Sequence, residues 1–485
     1  MGLIGFREDA ELRSRDGALV VVHPFGAVTV RGLPPRVESL LRGLHGRRAA
    51  GAGEEDLEDQ LVEDGGTSEE IALLYLVLDR LGDVLTHAVP PLLRVVPIAR
   101  DAVFRPPPIA PDDTVRLSGF ALVRRTESGL VIESPLSRHR VELSPDALPL
   151  VASLGRAVMV KEAAADPTAE EALGHLVGAG VAELAGADGF AEDVEPVLRM
   201  WDFHDLLFHS RSRLGRHDLE FGATFRFEGE LPAEPAIKPL PDGQVIELHR
   251  PSLEEAAAAD PPFTAVLESR RSVRAYAADP PSAGQIGELL YRAARVRATY
   301  GPAPGMPYEA SDRPYPGGGA AYELELYLTV NRCAGLERGI YYYDPLDHRL
   351  IAIRHRADDA ETMLARANQA TGGLVTPDVL ITVTSRFQRV SWKYAGMAYA
   401  TTLKNVGALY QTFYLVATAM GLAPCGLGSG DAELAARAFG LDWIRESSVG
   451  EFMIGSSSGG RSGFARRPAL TGWRDRNDPF AVSET

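Results

Sequence analysis

The sequence predicts an α+β protein in which a large C-terminal domain follows two small, similarly patterned units. Three observations carry this. An outline of hairpin, helix, helix and strand occurs twice between residues 18 and 184. Seven prolines (Pro232, Pro235, Pro239, Pro241, Pro251, Pro261 and Pro262) then interrupt the chain, which argues against regular structure and for a linker. From Phe263 onward, strand-like alternation and helical periodicity mix in one long stretch. With 485 residues, about three domains are expected. The expected division is 1–95, 96–228 with a connecting helix, a linker at 229–262, and 263–485.

In the first copy, residues 18–30 read as two β-rich runs around a Pro-Phe-Gly turn. Pro34-Pro35 starts a helix whose apolar positions are Val37, Leu40 and Leu41. After an acidic, Gly-rich loop, Thr67-Ser68-Glu69-Glu70 signals a second helix with a stripe at Ile71, Leu74, Leu78 and Leu81, closed by Gly82 before the strand 83–85. In the second copy, runs 115–125 and 129–143 are strand-like. Ser144-Pro145-Asp146 and Thr168-Ala169-Glu170-Glu171 open helices, and a strand follows near 181–184. The repeated outline is that of a small winged-helix-like unit, and duplication explains it. Residues 201–217 are amphipathic and rich in His and Arg. In the C-terminal domain a helix is expected over 263–269, and a capping box at Ser282 and Gln285 opens another through Arg295. Strands are expected at 322–330, 379–384 and 452–454, and a long helix from about 395 to 420. The Gly/Pro-rich stretch 301–320 reads as a long loop of the kind that is functional or disordered.

Composition excludes several classes of function. The chain is 45% hydrophobic and 24% charged, with a formal charge of −16, which disfavours nucleic acid and anionic membrane surfaces as partners. Two cysteines, Cys333 and Cys425, support neither a disulfide framework nor a Cys-rich zinc site, and a reducing compartment is the simpler reading. The N-terminus lacks a signal peptide's apolar run, and the most apolar stretch, 406–427, is broken by Gln411, Thr412, Thr418 and Pro424. A soluble, cytoplasmic protein is therefore expected.

Arg270-Arg271-Ser272-Val273-Arg274 places three guanidinium groups and a hydroxyl within five residues. Guanidinium forks match phosphate oxygens, so this is a candidate phosphate clamp; a solvated surface cluster is the alternative. No Gly-rich dinucleotide or P-loop fingerprint occurs, so side chains must hold any phosphate. His204 and His209 are five apart, a poor match to a helical ligand pair, and no metal site is expected. Both cysteines read as packing residues, and His348 as a turn residue rather than a base.

Residues 263–455 resemble the FMN-dependent nitroreductase superfamily, and more narrowly the SagB/ThcOx-type dehydrogenases that oxidise thiazolines and oxazolines in ribosomal peptides. The resemblance lies in SRRSVRAY (269–276), RPYPGGGAAYELELYL (313–328), GIYYYDPLDHRL (339–350), Trp392-Lys393-Tyr394 and the glycine-rich turn 426–430. Upstream, WDFHDLLFHSRSR (201–213) is similar to the stretch that precedes the flavin domain in these longer enzymes, and the duplicated units stand where peptide-clamp domains are expected.

The resemblance implies a nitroreductase-like flavin domain behind two winged-helix-like units, an FMN cofactor and a homodimer. Arg270, Arg271, Ser272 and Arg274 would hold the FMN phosphate and the pyrimidine edge. Pro316, Gly317 and Gly318 would line the flavin from the partner subunit, glycines standing where Ser is common in the family. Backbone N–H groups around Gly428 and Ser429 would face flavin N5, and Arg461, Arg466 and Arg467 are candidates for a second phosphate contact. Lys393 and Tyr394 resemble the family's catalytic pair: lysine to remove a ring proton, tyrosine to orient it or relay the proton, with Trp392 excluding water. An exposed Lys-Tyr loop is the alternative. Lysine occurs only at 161, 238, 393 and 404, so a bland cation at 393 would ordinarily have been arginine. The implied partners are a precursor peptide and a cyclodehydratase complex, with oxygen as reoxidant. A stand-alone NAD(P)H-dependent nitro or quinone reductase and a non-catalytic peptide-binding scaffold are the rival readings.

Overall fold

Local pattern accounts for much of the N-terminal region. The strands Glu11–Arg15, Ala18–His23 and Gly26–Arg31 form an antiparallel meander, and the helices Pro35–Gly43, Glu54–Glu63 and Ser68–Arg80 follow. The expected signal at Thr67 is a full capping box: its hydroxyl accepts the Glu70 N–H at 3.2 Å, and the Glu70 carboxylate accepts the Thr67 N–H at 2.9 Å. Helix Glu54–Glu63 lies in the stretch expected to be an acidic loop. Its only buried residues, Leu57 and Leu61, are one turn apart, too sparse a stripe to stand out among the acids.

The second copy departs further from expectation. The run 115–125 divides at a turn in which the Ala121 N–H donates to the Ser118 carbonyl at 3.0 Å. Thr114–Leu117 joins Val158–Met159 and Ala182–Leu184 in a three-stranded sheet, whereas Leu122–Thr126 pairs with Gly129–Glu133. A continuous antiparallel sheet then runs in the order Leu3–Phe6, Leu85–Val89, Leu93–Pro97, His139–Leu143, Gly129–Glu133, Leu122–Thr126. Two separate cores lie along it. One gathers Ile4, Leu19, Leu41, Leu61, Leu74 and Leu85, the other Val89, Val95, Ile132, Val141, Leu173 and Val181.

This computed structural model describes residues 2–45 and 52–457, in two compact units, 1–220 and 221–485. The second unit is built on a seven-stranded antiparallel sheet. In chain order its strands are β1 (Val245–Glu247), β2 (Leu324–Val330), β3 (Gly339–Asp344), β4 (Arg349–Ala352), β5 (Val379–Arg386), β6 (Leu422–Leu427) and β7 (Glu446–Ser456). Their spatial order is β1-β4-β3-β2-β5-β7-β6. After the helix Leu253–Ala259 come α1 (Phe263–Ser269), α2 (Ala283–Ala294), α3 (Asp359–Ala370), α4 (Phe387–Ser391), α5 (Ala398–Ala419) and α6 (Ala432–Phe439). The expected linker at 229–262 is corrected here: it contributes the edge strand β1 and the helix Leu253–Ala259. Proline is tolerated at a sheet edge, where only one side of the strand is paired.

Strand residues alternate between the two faces, and both faces are covered. Leu324, Leu326, Leu328 and Val330 share one core with Leu289 of α2 and with Leu409 and Phe413 of α5. Tyr327 faces the other core, with Met363 and Leu364 of α3 and Leu434 and Phe439 of α6. A sheet between two helical layers results, and α5 lies against it as its longest helix.

Candidate active site

Lys393 and Tyr394 follow α4. The pair Tyr394–Ala395 bridges to Gly222–Ala223, and the Lys393 carbonyl accepts the N–H groups of Thr224 and Phe225 at 3.1 and 3.2 Å. This backbone pairing delivers Phe225 to the lysine. The half-buried Lys393 ammonium lies 5.6 Å from the Phe225 ring centre, 4.6 Å from that of Tyr308 and 5.2 Å from that of Tyr394. It donates to Tyr308 Oη at 2.5 Å and to the Gly319 carbonyl at 3.4 Å. The Tyr308 hydroxyl donates to that same carbonyl at 2.7 Å. Trp392 is buried behind this group, its indole N–H on the Leu231 carbonyl at 2.8 Å and its ring against Phe225 and Tyr308.

The glycine loop is shaped by its neighbours. Gly319 has φ +60°, and a Cβ there would lie 2.4 Å from Lys393 Nζ and 2.5 Å from Tyr394 Oη. A Cβ on Gly318 would meet Thr401 Cγ2 at 2.4 Å, and one on Gly317 the Tyr322 ring at 3.0 Å. A side chain at Gly318 would therefore displace Thr401, and one at Gly317 would press on the Tyr322 ring. The Gly318 N–H donates to Asn405 Oδ1 at 3.0 Å, and Asn405 Nδ2 donates to buried Glu323 at 2.9 Å, anchoring the loop on α5. Pro316 is exposed.

The arginine cluster lies farther along α5. After α1 the chain is extended, and the Val273 N–H donates to the Pro424 carbonyl of β6 at 2.8 Å. Arg270 sits over the Tyr414 ring at 5.2 Å, Ser272 Oγ is 2.7 Å from Tyr414 Oη, and that hydroxyl accepts the Gly426 N–H at 2.7 Å. Arg270 and Arg271 are half-buried, and Ser272, Arg274, Gly428 and Ser429 are exposed. Burial raises the Cys425 thiol pKa, with Arg274 and Ser272 pulling against it. Below the turn, Glu451 is buried and lies 3.2 Å from where a Gly430 Cβ would stand. Burial, reinforced by Asp431, pushes its carboxyl up to about 7. Thr401 and Tyr414, which mark the two clusters on α5, are separated by about 20 Å at 1.5 Å per residue.

The structure therefore groups Lys393, Tyr394, Gly317 and Gly318 at one end of α5, and Arg270, Ser272 and the Gly426 turn toward the other. Tyr308, Phe225 and Glu451 were not found from sequence. Tyr308 lies in the Gly/Pro loop already marked as functional or disordered, whereas Phe225 and Glu451 carry no local signal. His204 sits in an exposed group with Asp202 and Asp205, and His209 stacks on Trp201. His348 is a buried turn residue with φ +56°, its nitrogens at 2.9 Å from Tyr343 Oη and 3.0 Å from the His249 carbonyl. Cys425 is fully buried and Cys333 half-buried. Arg461, Arg466 and Arg467 lie outside the described residues. Among the described residues no helix is long and apolar enough to cross a membrane.

Residues 267–456 match the family model of the nitroreductase family, and residues 115–218 match that of the cyanobactin oxidase ThcOx. A Methanocaldococcus jannaschii protein bearing the nitroreductase name is 30% identical over 187 residues, 39% of this chain and 86% of its own length. The chain belongs to the nitroreductase family. The ThcOx model matches a further segment upstream of the nitroreductase match, and nitroreductase-family membership implies an oxidoreductase. Similar solved structures include one named a nitroreductase from Ralstonia eutropha JMP134 (21% identity, TM-score 0.34, covering 47% of this chain and 99% of that one). Another is the Escherichia coli microcin synthetase McbBCD complex with truncated pro-MccB17 bound (24% identity, TM-score 0.31, covering 38% and 67%).

Proposed function

We propose that this protein is an FMN-dependent dehydrogenase that oxidises thiazoline or oxazoline rings of a ribosomally made peptide to thiazole or oxazole. The observation that carries the reading is the Lys393 amine, ringed by three aromatic side chains and held beside Tyr394 against the glycine loop, where a Gly319 side chain would displace it. The donor set of the second cluster suits FMN. Arg270, Arg271, Ser272 and Arg274 offer charge-assisted donors to a phosphate, and the exposed turn at Gly428 and Ser429 leaves room beside it, with nothing within 4 Å of a Gly428 Cβ.

Aromatising an azoline removes a proton from one ring carbon and a hydride from its neighbour. Bound FMN supplies the two-electron acceptor, which oxygen then restores. Lys393 Nζ takes the proton, Tyr394 orients the ring, and Trp392 with Phe225 keeps water from the amine. The glycine loop, Lys393 and Tyr394 are contributed together, to a flavin anchored by the arginines of a second copy in a homodimer. The duplicated N-terminal units steer the substrate peptide, a role supported by the match of 115–218 to the ThcOx model. Ring formation belongs to a cyclodehydratase acting beside the enzyme in the cytoplasm.

Lys393→Ala should keep the yellow flavin bound and stop the loss of two hydrogens per ring, read by mass spectrometry on a synthetic thiazoline peptide. Retained turnover in that variant would overturn the mechanism. Rapid flavin bleaching by NAD(P)H without ring oxidation in the native protein would overturn the reaction.

A further inference from the structure

Tyr308 lies 85 residues from Lys393 in sequence and is buried against it. A phenol carries one proton. Tyr308 gives that proton to the Gly319 carbonyl at 2.7 Å, so toward Lys393 its oxygen can only accept. Lys393 donates to this oxygen at 2.5 Å and, at 3.4 Å, to the same Gly319 carbonyl. The two oxygens are themselves only 2.7 Å apart, so they lie on one side of Nζ and share a single N–H direction, which holds the amine against the Gly319 carbonyl. Tyr308 itself is immobilised by packing against Phe225 and Trp392, at 6.2 and 6.4 Å between ring centres.

We propose that Tyr308 is the positioning residue of this site: with the Gly319 carbonyl it tethers the Lys393 amine and so fixes where Nζ stands against the substrate. The proposal rests on the dehydrogenase reading for its consequence in turnover, but the tether is a property of the chain alone. The four lysines of the protein make it measurable, because labelling at each can be followed separately.

The test uses the full-length, flavin-loaded protein and its Tyr308→Phe variant, which keeps the ring and removes only the hydroxyl. An amine-acylating reagent is applied at fixed pH, and the rates at Lys161, Lys238, Lys393 and Lys404 are read by peptide mass spectrometry. Release of one charge-assisted hydrogen bond should speed labelling of Lys393 roughly tenfold and leave the other three rates unchanged. Turnover of a thiazoline peptide should fall about 10- to 100-fold in kcat with KM unchanged. In the native protein, a short bifunctional arylating reagent that couples amines to phenols should join Lys393 to Tyr308, a result that stands whether or not the variant folds. An unmoved Lys393 rate, a parallel rise at all four lysines, or coupling of Lys393 to Tyr394 alone would overturn the tether. If the native protein leaves the thiazoline intact while Lys393 labelling rises as expected, the reaction assignment fails and the tether survives.

Discussion

Gly319→Ala displaces the ends of Lys393 and Tyr394 together while leaving both side chains chemically intact. The added methyl would stand 2.4 Å from Lys393 Nζ, where ordinary contact begins at 3.4 Å, so the amine must retreat by about 1 Å. The three atoms it meets, Lys393 Nζ and Cε and Tyr394 Oη, are ends of flexible side chains, and the backbone can stay in place. A misplacement of about 1 Å at a reacting group costs roughly 100-fold in rate. The left-handed backbone at φ +60° adds roughly 1–2 kcal/mol of strain once a side chain is present. In a domain of this size that lowers Tm by roughly 2–8 °C. Gly372→Ala is the control: its φ is +72°, with nothing within 4 Å of the new methyl, so it bears the same strain away from the site. The assay is anaerobic single turnover with a thiazoline peptide, following flavin bleaching and product mass. Similar Tm losses with a 100-fold slower reaction in Gly319→Ala alone are expected. Rates within twofold of each other in the two variants would refute placement of the Lys393–Tyr394 pair by this loop.

Two further outcomes follow from the arginine end of α5. Arg274→Ala should weaken FMN binding about 10- to 100-fold, the worth of a charge-assisted hydrogen bond to phosphate, and leave riboflavin binding unchanged; equal losses for both ligands in a fluorescence titration would remove the phosphate role. Glu451 titrates near 7 when folded and near the usual carboxylate value when unfolded, so the folded chain binds more protons between those values and stability falls as pH rises through that window. Glu451→Gln should therefore raise Tm at pH 8 by more than at pH 5 in thermal melts, and an equal effect at both would show that the carboxyl is not held up by burial.

What could be read from sequence was what neighbouring residues decide. The capping boxes at Thr67 and Ser282, the helix begun at Pro35, the alternation leading into Leu324–Val330 and the arginine run at 270–274 each depend on side chains a few positions apart. The order of motifs also pointed to the family. The tertiary structure decided whatever depends on partners distant in the chain. Strand Val245–Glu247 forms among prolines because β4 offers it a ladder, and the run 115–125 splits because its halves are claimed by different sheets. Lys393 was visible as a residue type, but its hold on Tyr308 across 85 positions was not, since a Gly/Pro loop has no periodicity to say where its side chains will lie. Local signals act through bonds already close at hand; the site is closed by contacts whose partners meet only when the sheet and α5 have brought distant segments together.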